Sequence, residues 1–418
     1  MPTSTTTSFA LPPQKALSAR IFAVCEPPLA LLTLLIIIHH FTKAAMDSDS
    51  EHPHNPFFQP FFQPFRNDIG DNMSFLNRMQ RLSTVVNASV SSRLAATAPF
   101  LAPRASTRAR KAEELVADVH EYSDLQYIHP VKTASLLVQG KSIELAFVDE
   151  YTGAQPAPET VVFLHGLGSY LPAWQKNIEA LKPHYRCIAL DMPGYGRTSK
   201  RSGDGSTYPY SMAFFAEVVI ALMNALNLYR VTLCGHSMGG QISMTTALSF
   251  PERVKHLILV NSAGFEKFSP RELDLLRSSA SARSVRDSSP AEIRATYKLN
   301  FFRMPPDAEL MIAERVALRR ARDFDDYCAA QEASIKAMVD GQVRDRLESI
   351  TQPTLILFGE NDALIPNPVI HSGTPRDVAR AAAALIPDSK LVFIPRCGHF
   401  SQFERPELVN QEIIRFLE

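Results

Sequence analysis

Leu233-Cys234-Gly235-His236-Ser237-Met238-Gly239-Gly240 is the stretch that decides the fold. The β-branched, apolar run Val231-Thr232-Leu233 leads into it, and a helix-patterned segment, Gln241 to Phe250, leaves it. Strand, Gly-X-Ser-X-Gly, helix is the pattern of a nucleophile elbow: a turn so tight that the serine takes a strained backbone and carries its hydroxyl at the tip. Side chains at positions 235 and 239 would collide with the neighbouring strand and helix, so both flanks require glycine. The helix starts at the serine and aims its free N–H groups at any oxyanion formed there. The pentapeptide alone also suits a plain glycine-rich strand-to-helix turn, so its meaning depends on the rest of the chain.

Upstream, Leu136–Val138, Gly140 and Ile143–Val148 read as a hairpin. Val161–Leu164 is a short buried strand ending at His165-Gly166-Leu167-Gly168-Ser169, and Trp174–Leu181 is an amphipathic helix. Tyr185–Leu190 is a second strand, ending at Asp191-Met192-Pro193-Gly194, and Met212–Leu226 is a helix with one apolar face. Leu257–Val260 follows the elbow helix as another strand. This alternation predicts an α/β protein with a parallel sheet, helices on both faces, and chemistry beyond the carboxyl ends of the strands. From Glu266 to Ile350 the runs are helical only, and strand character returns at Thr354–Gly359. A helical excursion leaving and rejoining that edge predicts a cap over the site. The expected units are a core of residues 131–265 and 351–418, a helical cap of 266–350, a partly disordered linker of 46–130, and an apolar N-terminal segment of 1–45.

A serine hydroxyl needs a base, and the base needs a third group to hold its tautomer. In elbow proteins the chain order is serine, acid, histidine. Here Ser237 is followed by Asp362, just past the strand ending at Gly359, and by His399, just past the last strand. Ser237, Asp362 and His399 are therefore the expected catalytic residues. Glu360 is the alternative acid, less well placed because it lies closer to the strand end. Backbone N–H donors to an oxyanion are expected from Met238, after the serine, and from Leu167, after the Val161–Leu164 strand. His236 reads as a packing or hydrogen-bonding neighbour, His165 as structural, and Asp191 as ordering the Pro193-Gly194 turn.

From about residue 135 to the end, the chain resembles the α/β-hydrolase superfamily in its serine esterase, lipase and C–C hydrolase branch. The motifs carrying the resemblance are His165-Gly166-X-Gly168, Asp191-Met-Pro-Gly-Tyr-Gly, Gly235-His-Ser-Met-Gly239, Gly359-X-X-Asp362 and Cys397-Gly-His399. The resemblance implies a mostly parallel eight-stranded sheet, an inserted helical cap and acyl-enzyme chemistry without a cofactor or metal. A serine at the nucleophile position argues against the similar epoxide hydrolases and haloalkane dehalogenases, which use aspartate. The expected activity is hydrolysis of a moderately apolar carboxylic ester. The alternatives are a C–C bond hydrolase of the meta-cleavage type and a non-catalytic binding protein on the same fold. A basic cap residue meeting a substrate carboxylate would favour the C–C hydrolase, and Arg315, Arg319 and Arg320 are available. Phe301, Phe302, Met304, Leu310 and Met311 suit either an acyl pocket or the interior of the cap. The resemblance does not extend to residues 1–130.

The remaining features bound the partners. Lysine plus arginine equals aspartate plus glutamate at 43 each, so nothing points to nucleic acid. The five cysteines have no CxxC spacing, which argues against zinc and a disulfide framework, and Cys187 and Cys234 read as small buried hydrophobes. The expected partner is a small-molecule ester, lipids included. The run Leu29–Ile38 lies in a stretch, residues 21–41, that is interrupted by Glu26, Pro27 and Pro28. Membrane or secretory targeting is the first reading of that segment; a mitochondrial presequence and a cytoplasmic protein starting at Met46 are the others. Phe57-Phe58-Gln59-Pro60 repeats as Phe61-Phe62-Gln63-Pro64 before Phe65, which suits either a face that docks on a membrane surface, a partner or the catalytic domain, or a disordered Pro-rich tether. Asn72 and Asn87 open glycosylation sequons, relevant only in a secreted protein.

Overall fold

The computed structural model describes residues 119–418 together with Ala112 and Val116. The N-terminal targeting segment, the phenylalanine repeat, both sequons and the linker as far as residue 118 lie outside the described residues, those two positions aside. Among the described residues, no helix is long and apolar enough to cross a membrane.

The chain runs through β1 (Lys132–Val138), β2 (Lys141–Glu150), β3 (Thr160–Leu164), α1 (Gln175–Leu181), β4 (Arg186–Leu190) and α2 (Met212–Ala225). It continues through β5 (Val231–His236), α3 (Met238–Ser249) and β6 (Val254–Val260). Only helices follow until the next strand: α4 (Pro270–Ser279), α5 (Ala282–Asp287), α6 (Pro290–Leu299), α7 (Ala308–Ala317) and α8 (Phe324–Asp340). The chain closes with β7 (Thr354–Gly359), α9 (Pro375–Ala383), β8 (Ser389–Ile394), α10 (Ser401–Glu404) and α11 (Pro406–Leu417).

The eight strands form one sheet in the order β1-β2-β4-β3-β5-β6-β7-β8. β2 is antiparallel to both β1 and β4; every other pair is parallel. The β1–β2 turn puts Gln139 and Gly140 at φ 48° and 73°, the type I′ geometry that matches the twist of a two-residue hairpin.

Strand alternation builds a core on each face of the sheet. Leu233, Leu257, Leu259, Ile356 and Phe358 point to one side, where α2 and α3 supply Phe214, Phe215, Val218, Met238 and Ile242. Cys234, Ile258, Leu355 and Leu357 point to the other, against Trp174, Ile178 of α1, and Val409 and Ile413 of α11. Burying each such side chain stabilises the fold by about 1.5–3 kcal/mol, which is why the strands read as unbroken apolar runs. Ser211 caps α2, accepting from Phe214 N at 3.0 Å.

Because β3, β5, β6, β7 and β8 are parallel, their carboxyl ends share one edge, and the loops leaving them meet there. A pocket of about 500 Å³ lies at that edge, walled by these loops and by residues of α4–α8. Residues 119–131 also belong to this packed structure rather than to a free linker: Tyr122 and Leu125 are buried, only 2% and 1% exposed.

Candidate active site

Ser237 sits between β5 and α3 at φ 53° and ψ −117°, a left-handed conformation that costs an ordinary residue about 1–3 kcal/mol. Its neighbours hold it there: Ser237 N donates to Val260 O at 3.1 Å, and Ser237 O accepts from Gly240 N at 2.9 Å and Ala263 N at 3.1 Å. A Cβ on Gly235 would lie 2.3 Å from Gly239 O, and one on Gly239 would lie 2.2 Å from Leu164 O. Both clashes are with backbone, so no side-chain movement relieves them. Met238 is fully buried at the first position of α3, where helical N–H groups have no acceptor within the helix. Leu167 lines the pocket beside Ser237.

Asp362 and His399, from the loops after β7 and β8, are both buried, and His399 Nδ1 lies 2.8 Å from Asp362 Oδ2. The other carboxylate oxygen, Oδ1, accepts from Leu364 N at 2.8 Å and Ile365 N at 3.0 Å. An ionised carboxylate only accepts, so Nδ1 carries the imidazole proton and Nε2 is left as the acceptor. Ser237 and His399 line the same pocket. Glu360 takes no part in this arrangement; it forms an ion pair with Arg376.

A residue that sequence reading missed completes the support. Asn261, at the end of β6, donates from Nδ2 to Asp362 Oδ2 at 2.8 Å and accepts at Oδ1 from Ser401 Oγ at 2.6 Å. It thereby joins the loops carrying Asp362 and His399. Its one sequence signal is weak: asparagine tolerates positive φ, and Asn261 sits at 43°.

The other polar residues at this edge make hydrogen bonds within the fold. His165 Nε2 accepts from Met192 N at 3.0 Å, so its Nδ1–H donates to Gly166 O at 2.8 Å; burial pushes its pKa down. His236 Nε2 donates to His399 O at 3.0 Å, and burial, then the nearby His399, hold its pKa well below the usual range. Asp191 is fully buried and accepts from Leu171 N (2.6 Å), Tyr127 Oη (2.7 Å) and Arg197 N (2.8 Å). It pins three chain segments together rather than facing the pocket.

Of the two expectations for the helical segment, the interior one describes most of the five residues: Phe301 and Met311 are buried, Met304 and Leu310 are partly buried against core clusters, and Phe302 alone is exposed. Phe301, Phe302, Met304, Leu310 and Met311 do not line the pocket; its apolar surface comes from residues such as Leu276, Val285, Ile293, Ile335 and Met338. Phe301 packs on Phe400 and Phe403, with ring centroids at 5.6 and 6.3 Å. Of the three arginines, Arg315 alone lines the pocket. Its guanidinium lies 5.0 Å from the Phe324 ring centre and 4.8 Å from that of Tyr327, and its buried Nη1 has no hydrogen-bond partner among the described residues. Glu266 also lines the pocket, accepting from Asn367 N and His371 Nδ1, both at 2.7 Å; burial raises its pKa. Among the described residues, no group of three or more His, Cys, Asp or Glu is arranged to hold a metal ion.

Residues 159–406 match the family model described as the alpha/beta hydrolase fold. The chain belongs to the α/β-hydrolase family. Three similar proteins show how broad the likeness is. The dihydrolipoyllysine-residue acetyltransferase component of the acetoin cleaving system of Pseudomonas putida is 30% identical over 264 residues, covering 62% of this chain and 63% of that one. The chain thus spans less than two thirds of that relative. A 2-hydroxy-6-oxononadienedioate/2-hydroxy-6-oxononatrienedioate hydrolase of Klebsiella pneumoniae is 28% identical, covering 62% of this chain and 87% of that one. Among solved structures, a thermophilic esterase from Thermogutta terrifontis superposes with a TM-score of 0.55 at 26% identity, covering 68% of this chain and 98% of that one.

Proposed function

We propose that this protein is a serine hydrolase that cleaves a moderately apolar carboxylic ester through an acyl-enzyme. The observation supporting it most is the 2.8 Å contact between His399 Nδ1 and Asp362 Oδ2, beside a pocket that Ser237 also lines. In this reading Asp362 holds the imidazole with its proton on Nδ1, so Nε2 is the base. Ser237 Oγ attacks the carbonyl carbon as its proton passes to Nε2, and the carbonyl oxygen becomes an oxyanion. The N–H groups of Met238 and Leu167 donate to it; one such donor is worth about 2.7–4 kcal/mol in the transition state. Collapse expels the alcohol, which takes the proton from Nε2. Water, deprotonated by the same nitrogen, then attacks the acyl carbon, releases the acid and restores Ser237.

The test is labelling of the full chain with a fluorophosphonate probe, wild type beside Ser237→Ala, followed by a panel of p-nitrophenyl esters. The expected result is labelling and turnover by the wild type alone. A folded wild type that takes no label and turns over no ester would move a non-catalytic binding role ahead.

Arg315 favours a second reading, cleavage of a C–C bond in a dienone acid. A buried guanidinium with an unpartnered nitrogen is costly, and a substrate carboxylate would satisfy it. The name of the Klebsiella relative describes a substrate with two carboxylates. In this reading Arg315→Met raises KM for a dienone acid roughly 10- to 100-fold, the equivalent of one lost charged hydrogen bond, and changes p-nitrophenyl butyrate turnover far less. Equal effects on both substrates remove it.

A further inference from the structure

Residues 119–131 precede the segment matched by the family model, yet they pack against the pocket wall. Tyr122 N donates to Asp323 Oδ1 at 3.2 Å, at the head of α8. Next to it, Arg322 N donates to His120 O at 3.0 Å and Arg322 Nη1 to Glu121 Oε1 at 2.9 Å. The Tyr122 ring lies 4.9 Å from the ring of Tyr327 on α8, and Lys200 Nζ lies 4.5 Å from its centre. Lys200 is itself fixed to the core, donating to Gly196 O at 2.6 Å and Thr198 O at 2.7 Å. Farther along, Tyr127 Oη donates to Asp191 Oδ2 at 2.7 Å. The segment is thus tied to the core at two points and to α8 at a third.

Tyr327 connects this segment to the site. It lines the pocket, lies beneath Arg315, and donates from its hydroxyl to Gly168 O at 3.3 Å while accepting from Gln331 Nε2 at 2.6 Å. Gly168 directly follows Leu167. Gln331 holds the Tyr327 hydroxyl at 2.6 Å, but the 3.3 Å bond to Gly168 O is weak by itself, so its geometry is sensitive to what packs the Tyr327 ring, and Tyr122 is the nearest aromatic neighbour.

We propose that residues 119–127 are a strap holding α8 over the site, with Tyr122 as the positioning residue that sets Tyr327 against the Gly168 carbonyl and so steadies the oxyanion loop. The proposal rests on the serine-hydrolase reading. The ring of Tyr122 does the holding; its hydroxyl is buried without a partner, so phenylalanine serves equally well.

The experiment measures kcat and KM for p-nitrophenyl butyrate, and the rate of fluorophosphonate labelling, in the full chain. The proteins are wild type, Tyr122→Ala, Tyr122→Phe, Tyr327→Phe and the Tyr122→Ala/Tyr327→Phe double variant. Tyr122→Ala and Tyr327→Phe should each lower kcat and the labelling rate roughly tenfold with little change in KM, because the oxyanion loop acts in the transition state. Tyr122→Phe should match the wild type, and the double variant should fall no lower than the weaker single one. Asp323→Ala, which releases the Tyr122 N–H without opening a ring-sized cavity, is the second route should Tyr122→Ala not fold, and should also lower kcat. An active wild type beside an equally active Tyr122→Ala or, by the second route, Asp323→Ala, or additive losses in the double variant, overturns the strap. An inert wild type overturns the serine-hydrolase reading instead.

Discussion

Asn261→Gly is the sharpest test of how the site is held. Asn261 supplies one of four hydrogen bonds to the Asp362 carboxylate and shares Oδ2 with His399; the backbone N–H groups of Leu364 and Ile365 hold Oδ1. Removing the amide leaves His399 alone on Oδ2 and deprives Ser401 Oγ of its 2.6 Å acceptor, although Gly398 O remains at 3.2 Å. A hydrogen bond to a charged group contributes about 1.5–3 kcal/mol. Expressed wholly in the transition state, that loss lowers kcat by roughly 10- to 150-fold. Backbone strain is a separate effect: Asn261 has φ 43°, where alanine costs about 1–2 kcal/mol more than glycine. Asn261→Ala and Asn261→Gly should therefore lose the same activity, while the alanine variant is the less stable in urea by about 1–2 kcal/mol. The assays are kcat with p-nitrophenyl butyrate and urea unfolding. If Asn261→Gly keeps kcat within about twofold of the wild type, the amide does not position the acid and the reasoning fails.

Two further outcomes follow from single contacts. Gly239→Ala places a Cβ 2.2 Å from Leu164 O, a backbone atom, and should cost at least about 3 kcal/mol in urea unfolding; a variant of wild-type stability would refute the packing argument. Burial raises the Glu314 carboxyl from 4.5 to about 8, and Tyr170 donates to it. The folded state therefore holds a proton that the unfolded chain releases, so stability from this group is full below about pH 4.5 and is lost as pH rises through about 8. The expected slope within that window is roughly −1.4 kcal/mol per pH unit, absent in Glu314→Gln; equal slopes in the two proteins would count against a buried, protonated Glu314.

What could be read in the sequence was what short-range chemistry dictates. Apolar runs bounded by turns make β5, β6 and β7 strands whichever neighbours they find, and their alternation with helices leaves few ways to assemble them. The resemblance supplied the number of strands. Glycine at 235 and 239 answers to atoms within a few residues or on the adjoining strand, so the elbow was visible in eight letters. The order Ser237, Asp362, His399 was visible too, because each follows a strand-like run and parallel strands bring such positions to one edge.

The rest depended on contacts between distant parts of the chain. No local pattern distinguishes Arg315 from Arg319 and Arg320; only the packing of α7 and α8 puts Arg315 at the pocket. Likewise Phe301 packs on Phe400 and Phe403, residues about a hundred positions away, and the apolar lining comes from other residues. Asn261 becomes part of the acid's support because β6 lies beside β7, and Tyr122 is buried because α8 returns over it. Sequence alone determined the turn, the strands and the edge where they meet. The tertiary structure decided which side chains share the pocket, because periodicity describes how one element presents its faces and carries no information about which element it will face.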